Sequence, residues 1–157
     1  MGIRLTSKIT TFCFAAGLAG AIALQAPFAF GKTAVGIDLG YHGLSLRTDL
    51  DPETFVQFDL GSGWFYGGVS VGADYCKIYP RKKGSSVEPD VFYGFGAEVY
   101  SLGGLGLVAG RLPFGVNWHI KDTPLEIGVA AVPHLVFGDS ATFVAVGLSV
   151  PFRWVLN

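Results

Sequence analysis

From Val35 to Trp154 the chain alternates large apolar residues with small or polar ones. A period of two predicts β-strands with two unlike faces. The first predicted strand sets Val35, Ile37, Leu39 and Tyr41 against Gly36, Asp38, Gly40 and His42. After a break at Gly43, a second sets Leu44, Leu46 and Leu50 against Ser45, Arg47 and Asp49, and Asp51-Pro52-Glu53 has the composition of a turn. The third is short, with Val56, Phe58 and Leu60 opposite Phe55, Gln57 and Asp59, and ends in Gly61-Ser62-Gly63. The fourth covers 64–79, with Phe65, Val69, Val71, Ala73 and Tyr75 on one face and Tyr66, Gly68, Ser70, Gly72, Asp74 and Cys76 on the other. The longest polar connection follows over 80–89, around a Lys-Gly-Ser-Ser core typical of a loop.

The fifth strand, over 91–101, opposes Val91, Tyr93, Phe95, Ala97 and Val99 to Phe92, Gly94, Gly96, Glu98 and Tyr100, and Gly103-Gly104 turns the chain. The sixth, over 105–120, carries Val108, Leu112, Phe114, Val116, Trp118 and Ile120 on one face and Ala109, Arg111, Pro113, Gly115, Asn117 and His119 on the other. After the turn Lys121-Asp122-Thr123-Pro124, the seventh opposes Leu125, Ile127, Val129 and Ala131 to Glu126, Gly128 and Ala130. The last sets Val144, Val146, Leu148, Val150, Phe152 and Trp154 against Ala145, Gly147, Ser149 and Arg153. No helical period intervenes. The expected fold is all-β, a single antiparallel up-and-down β-barrel of about eight strands, since closure in an outer membrane generally takes an even number. Seven would result if the first two segments formed one strand.

The two faces differ in kind. One is continuously large and apolar, and no charge falls at the centre of any strand on it. The other is rich in glycine and carries the isolated charges Asp38, Arg47, Asp59, Asp74, Glu98, Arg111, Glu126 and Arg153. A solvated strand surface would carry larger polar residues. An inside-out barrel accounts for both faces: lipid covers the apolar one, and a narrow lumen holds small residues and a network of those eight charged side chains. Three arginines face five acids there, so pairing is expected together with a negative excess. Tyr41, Tyr75, Tyr93, Trp64, Trp118 and Trp154 are candidates for interfacial aromatic girdles.

Composition and the N-terminus fit that picture. Of 157 residues, 23 are glycine and 13 phenylalanine, and the net charge of −1 leaves no basic face for nucleic acid beyond the turn-like Arg81-Lys82-Lys83. Arg4 and Lys8 precede an apolar run over 9–30, with Pro27 and then Ala29-Phe30-Gly31, which places small residues at −3 and −1. Residues 1–31 are therefore expected to be a signal peptide cleaved near Gly31, and 32–157 the barrel. The rival is an uncleaved anchor, the run being long enough to span as a helix of about 18 residues. Cys13 lacks the residues of a lipobox, and Gly31-Lys32-Thr33 is not a phosphate-binding loop, because Ala26 stands where the first glycine belongs. Cleavage leaves Cys76 as the mature chain's one cysteine, which precludes an internal disulfide.

Four features carry a resemblance: the strand Tyr93-Gly94-Phe95-Gly96-Ala97, the stretch from Gly110 through Arg111, Leu112, Pro113, Phe114, Gly115, Val116 and Asn117 to Trp118, the turn Asp122-Thr123-Pro124-Leu125-Glu126, and Pro133. On these the chain resembles small outer-membrane β-barrels of the OmpX/OmpA-like type, in particular short members from spirochaetes and other diderm bacteria. The ending around Gly147, Val150, Phe152 and Trp154 is similar to the C-terminal signal by which the outer-membrane assembly machinery recognises its clients. Here Val155-Leu156-Asn157 follow the last aromatic residue, and the 80–89 connection falls at the chain-terminal end, where such barrels usually keep short turns.

Candidate chemistry is thin. His42, His119 and His134 show no H-x-H or H-E-x-x-H spacing for a metal, and Ser45 is out of phase with His42 for a serine–histidine pair. Asp38, Asp74, Glu98 and Glu126 could serve acid–base work, but a salt-bridged lumen calls for the same acids. The expectation is an integral outer-membrane barrel with a structural or interaction role, a lumen too filled for a solute pore, no catalysis, no cofactor and no metal. Its partners would be outer-membrane lipid, the assembly machinery and an unidentified surface ligand, without nucleic acid. The alternatives are a periplasmic lipocalin-like barrel, its aromatic face turned in on an apolar ligand, and a lipid A-modifying enzyme using His42 or His119.

Overall fold

The computed structural model describes residues 31–62, 68–79, 89–102, 105–137 and 142–156. The expected signal peptide, Trp64 and the 80–88 part of the long connection lie outside them. Ten strands form: β1 Thr33–Asp38, β2 Gly43–Asp51, β3 Thr54–Ser62, β4 Val69–Ile78, β5 Asp90–Leu102, β6 Leu105–Arg111, β7 Phe114–His119, β8 Leu125–Phe137, β9 Thr142–Ser149 and β10 Pro151–Leu156. Two of the breaks are local. β6 and β7 keep one register against both β5 and β8 across Leu112-Pro113, and β9 and β10 keep one register against β8 across Val150-Pro151. The cause is the missing proline N–H. The Leu112 N–H donates to the Pro133 carbonyl and the Gly94 N–H to that of Pro113, while the prolines return no bond.

Counted as crossings, the chain makes eight antiparallel passes, and β10 closes the ring by pairing β1 on one side and β8 on the other. Closure covers the edges of β1 and β10, while among the described residues β9 is laddered on one side, to β8. Stepping across the ladders from Gly36 leads through Ser45, Asp59, Gly72, Glu98, Ala109, Val136 and Phe143, and the β1–β10 register then returns ten residues along. For eight strands at ordinary spacings that stagger tilts each strand by about 40° from the barrel axis.

The period of two sorts the side chains as a closed barrel requires. The charged face points inward, where Asp38, Arg47, Asp59, Asp74, Glu98, Arg111, Glu126 and Arg153 are each at most 3% exposed. The apolar face points out, with Phe95 64%, Leu112 60% and Val144 70% exposed. Outward positions of β8 are apolar throughout, from Leu125 to Phe137. At about 3.3 Å per residue and that tilt, β8 rises about 30 Å, the thickness of a bilayer's hydrocarbon core. Trp118, Trp154 and Tyr79 stand outward at the end that carries the chain termini. The charged side chains on the described outward strand positions are Lys77 on β4 and Asp51 at the end of β2, which share a cross-strand row through Thr54 near the same end.

Three expectations are corrected. The first strand stops at Asp38 instead of running to His42, because the Asp38 carboxylate accepts hydrogen bonds from the amides of Gly40 (2.7 Å), Tyr41 (3.2 Å) and Val150 (2.9 Å) and from the Ser149 hydroxyl. His42 then takes a left-handed φ of 46°, which swings Tyr41 off the apolar face into the lumen. Tyr75, a candidate girdle residue, sits between Val56 and Phe95 within the apolar band, whereas Tyr93 stands beside Lys77 near its rim. The lipocalin-like alternative needs the apolar face inside, where the structure puts the charged one.

Candidate functional site: the charged lumen

Two arginine-centred clusters fill the middle of the barrel. Towards the chain-terminal end, Arg153 on β10 donates from Nε (3.0 Å) and Nη2 (2.8 Å) to the Ser45 hydroxyl, from Nη2 to Gln57 Oε1 (2.6 Å), and from Nη1 to Glu126 Oε1 (2.9 Å). Arg47 on β2 reaches the other oxygen of the same carboxylate, Glu126 Oε2, at 2.8 Å, and Asp49 Oδ1 at 2.9 Å. Its guanidinium carbon lies 4.1 Å from the centre of the Phe55 ring, a cation–π contact in a site shut off from water. Each arginine thus ties strands that are not neighbours in the ladder.

Farther from the termini, Arg111 on β6 stands among three carboxylates. Its Nη2 lies 3.1 Å from Asp59 Oδ2 and 3.0 Å from Asp74 Oδ2, and its Nη1 3.7 Å from Glu98 Oε2. Gly72 makes the room: a Cβ there would stand 1.8 Å from Arg111 Nη1. The Asp59 carboxylate joins the two clusters, since it also accepts from Ser45 (3.0 Å) and from Gln57 Nε2 (3.0 and 3.2 Å). Asp59 is well satisfied, whereas both Asp74 oxygens, Glu98 Oε1, and Arg111 Nε and Nη1 lack an aligned hydrogen bond. Asp74 and Arg111 are close enough for an ion pair but poorly aligned for hydrogen bonding.

Beside Arg111 lies a group that sequence reasoning missed. His134 Nε2 is 2.9 Å from Glu98 Oε2 and 3.0 Å from the Tyr41 hydroxyl, and the Tyr100 hydroxyl donates to Glu98 Oε2 at 2.7 Å. His134 continues the inward set of β8 past Pro133, so extending the two-residue period through the proline is the signal that finds it. Apolar inward residues pack around the charges. Phe55, Cys76, Phe92, Ala130 and Val132 form one cluster, and Tyr100, Ala109 and Val136 a second towards the far end. Phe55 and Phe92 meet edge to face at 5.3 Å.

The other expected candidates lie apart. His42 is exposed in its turn, and His119, 45% exposed at the lumen mouth, stands 3.5 Å from both Asp90 and Glu126. Ser45 Oγ is committed to Asp59 and Arg153. Among the described residues no three His, Cys, Asp or Glu side chains are placed to hold a metal ion. Of the ending around Gly147, Val150, Phe152 and Trp154, Gly147 faces inward and Phe152 and Trp154 outward on the strand that closes the ring. Comparison with family models, with curated proteins and with solved structures finds no match for the chain.

What this arrangement does chemically is hold the barrel wall from within. Removing one partner of a buried ion pair leaves an uncompensated charge. The clusters therefore penalise any register or closure that separates Arg153 from Glu126 or Arg111 from Asp59.

Proposed function

We propose that the chain is a small integral outer-membrane β-barrel with a structural or interaction role, its lumen braced by side chains and its work done without catalysis. The carrying observation is the inversion of polarity: charged residues fill the interior of a closed barrel, and the outer face stays apolar over about 30 Å. A soluble protein rarely exposes a contiguous apolar patch beyond a few hundred Å², whereas lipid removes that penalty and the ring of ladders satisfies most of the backbone within the sheet. Export by the N-terminal signal peptide and recognition of the segment bearing Gly147, Val150, Phe152 and Trp154 by the assembly machinery complete the reading. Its partners are outer-membrane lipid, that machinery and a ligand at the exposed turns.

The test is fractionation of cells expressing the full chain, followed by electrophoresis of the membrane pellet with and without heating. Recovery in the outer-membrane fraction with a migration that changes on boiling is the expected result. A soluble periplasmic product would overturn the reading.

A further inference from the structure

Lys77 is a cation on a largely apolar outer face, and its surroundings suggest why. It alternates with the inward Cys76 near the chain-terminal end of β4, and Tyr93 lies directly across the ladder on the same outer face. Cross-strand partners on one face have Cβ atoms about 5 Å apart, so an ammonium and a phenol stand side by side. Asp51, on the same row by way of Thr54, accepts hydrogen bonds from the Thr54 hydroxyl (2.6 Å) and the Glu53 amide (2.8 Å). Among the described residues no ion pair is formed by Lys77.

Beyond Lys77, towards the middle of the apolar band, the surface is indented. A groove of about 450 Å³ runs along Tyr75 and Ala73 on β4, between Val56 and Phe58 on β3 and Phe95 and Ala97 on β5. Ala73 and Ala97 are registered opposite each other, and the pair of small residues leaves the indentation. From Lys77 to Ala73 the strand advances about 13 Å, which at a tilt of about 40° is a rise of about 10 Å into a hydrocarbon core of about 30 Å. A cation and a hydroxyl at the foot of an apolar groove that runs inward from one rim match the headgroup and upper acyl chain of one lipid of one leaflet.

We propose that the outer surface of β3, β4 and β5 holds one anionic glycerophospholipid, its phosphate against Lys77 and Tyr93 and one acyl chain in the groove. The site rests on the membrane reading above and adds a lipid class to it. Lysine places its stem along apolar surface and its charge at the headgroup level. One such cation near an anionic headgroup shifts occupancy about five-fold.

The test uses barrel extracted from membranes of cells expressing the full chain. Flotation with dioleoylphosphatidylcholine vesicles comes first, and a protein that stays in the supernatant overturns the membrane reading and the site with it. Protein that floats is then mixed in detergent with equal dioleoylphosphatidylglycerol and dioleoylphosphatidylcholine, and the first lipid retained is identified by native mass spectrometry. About a five-fold preference for phosphatidylglycerol is expected, falling to near parity in Lys77→Gln, while Ala97→Leu lowers retention of both lipids. Equal retention by the unaltered floating protein, a preference that survives Lys77→Gln, or undiminished retention in Ala97→Leu each overturns the lipid site alone.

Discussion

Three carboxylates from three strands converge on the one guanidinium of Arg111. Replacing it by leucine strands Asp59, Asp74 and Glu98 together without a cation. Breaking a buried pair from one side destabilises by about 3–5 kcal/mol, so Arg111→Leu is expected to lower urea resistance of the detergent-solubilised barrel by about that much, followed by tryptophan fluorescence. Tyr41→Phe removes a single hydrogen bond to His134 and is expected to lose only about 1 kcal/mol in the same measurement. Equal effects of the two substitutions would mean that the Arg111 cluster is no brace. Alternation alone separates inward from outward side chains along most of the chain. It does not name their partners: Arg111 meets Asp59 only because four strands hold their registers between them, and a one-residue slip in any ladder would face it with different groups. Tyr41 escapes sequence reasoning for a local reason, since it lies past the point where Asp38 ends the strand and a non-glycine residue, His42, takes a left-handed φ.

Individual strands show which irregularities the wall tolerates. Pro113, Pro133 and Pro151 sit within crossings, yet the registers on both sides of each continue unshifted, so each proline removes a bond without adding a residue. The alternation predicts a proline inside the sixth strand but is followed in the seventh only to Ala131, so it does not place Val132, His134 and Val136 in the lumen. The outer face of the last crossing offers a direct test of what surrounds it. Leu148 lies midway along Thr142 to Leu156 and is 50% exposed, and Leu156, at the strand end, is 48% exposed. In water the two positions are equivalent. In a bilayer a lysine at the midplane is unfavourable by about 2–4 kcal/mol and near the interface by only about 0–1. Leu148→Lys is therefore expected to be much the more destabilising in lipid vesicles, judged by the fraction that retains its unheated gel mobility, and matching fractions for Leu148→Lys and Leu156→Lys would count against lipid on that face.

Across the whole molecule, stability depends on the meeting of the two chain ends. β10 is hydrogen-bonded to β1 along Thr33 to Asp38 and to β8 at Ile127, Glu126 and Leu125, and it brings Arg153 to Ser45, Gln57 and Glu126. Without it β1 and β8 would present open edges, which lipid does not tolerate, and Glu126 would keep, among the described residues, only Arg47 and the more distant His119. Deleting 151–157 is thus expected to abolish the compact unheated band both in cells and on refolding into detergent. Trp154→Ala separates closure from recognition. The Trp154 ring points outward, 53% exposed, and shares none of the lumen bonds, so refolding of purified Trp154→Ala in detergent should proceed nearly as in the parent protein. If the outward aromatic residues of this strand are what the assembly machinery reads, the same substitution should reduce folded barrel in the outer membrane several-fold while unfolded protein accumulates. Parallel losses in detergent and in cells would instead assign Trp154 to the barrel's own stability, and undiminished assembly in cells would remove it from the recognition segment.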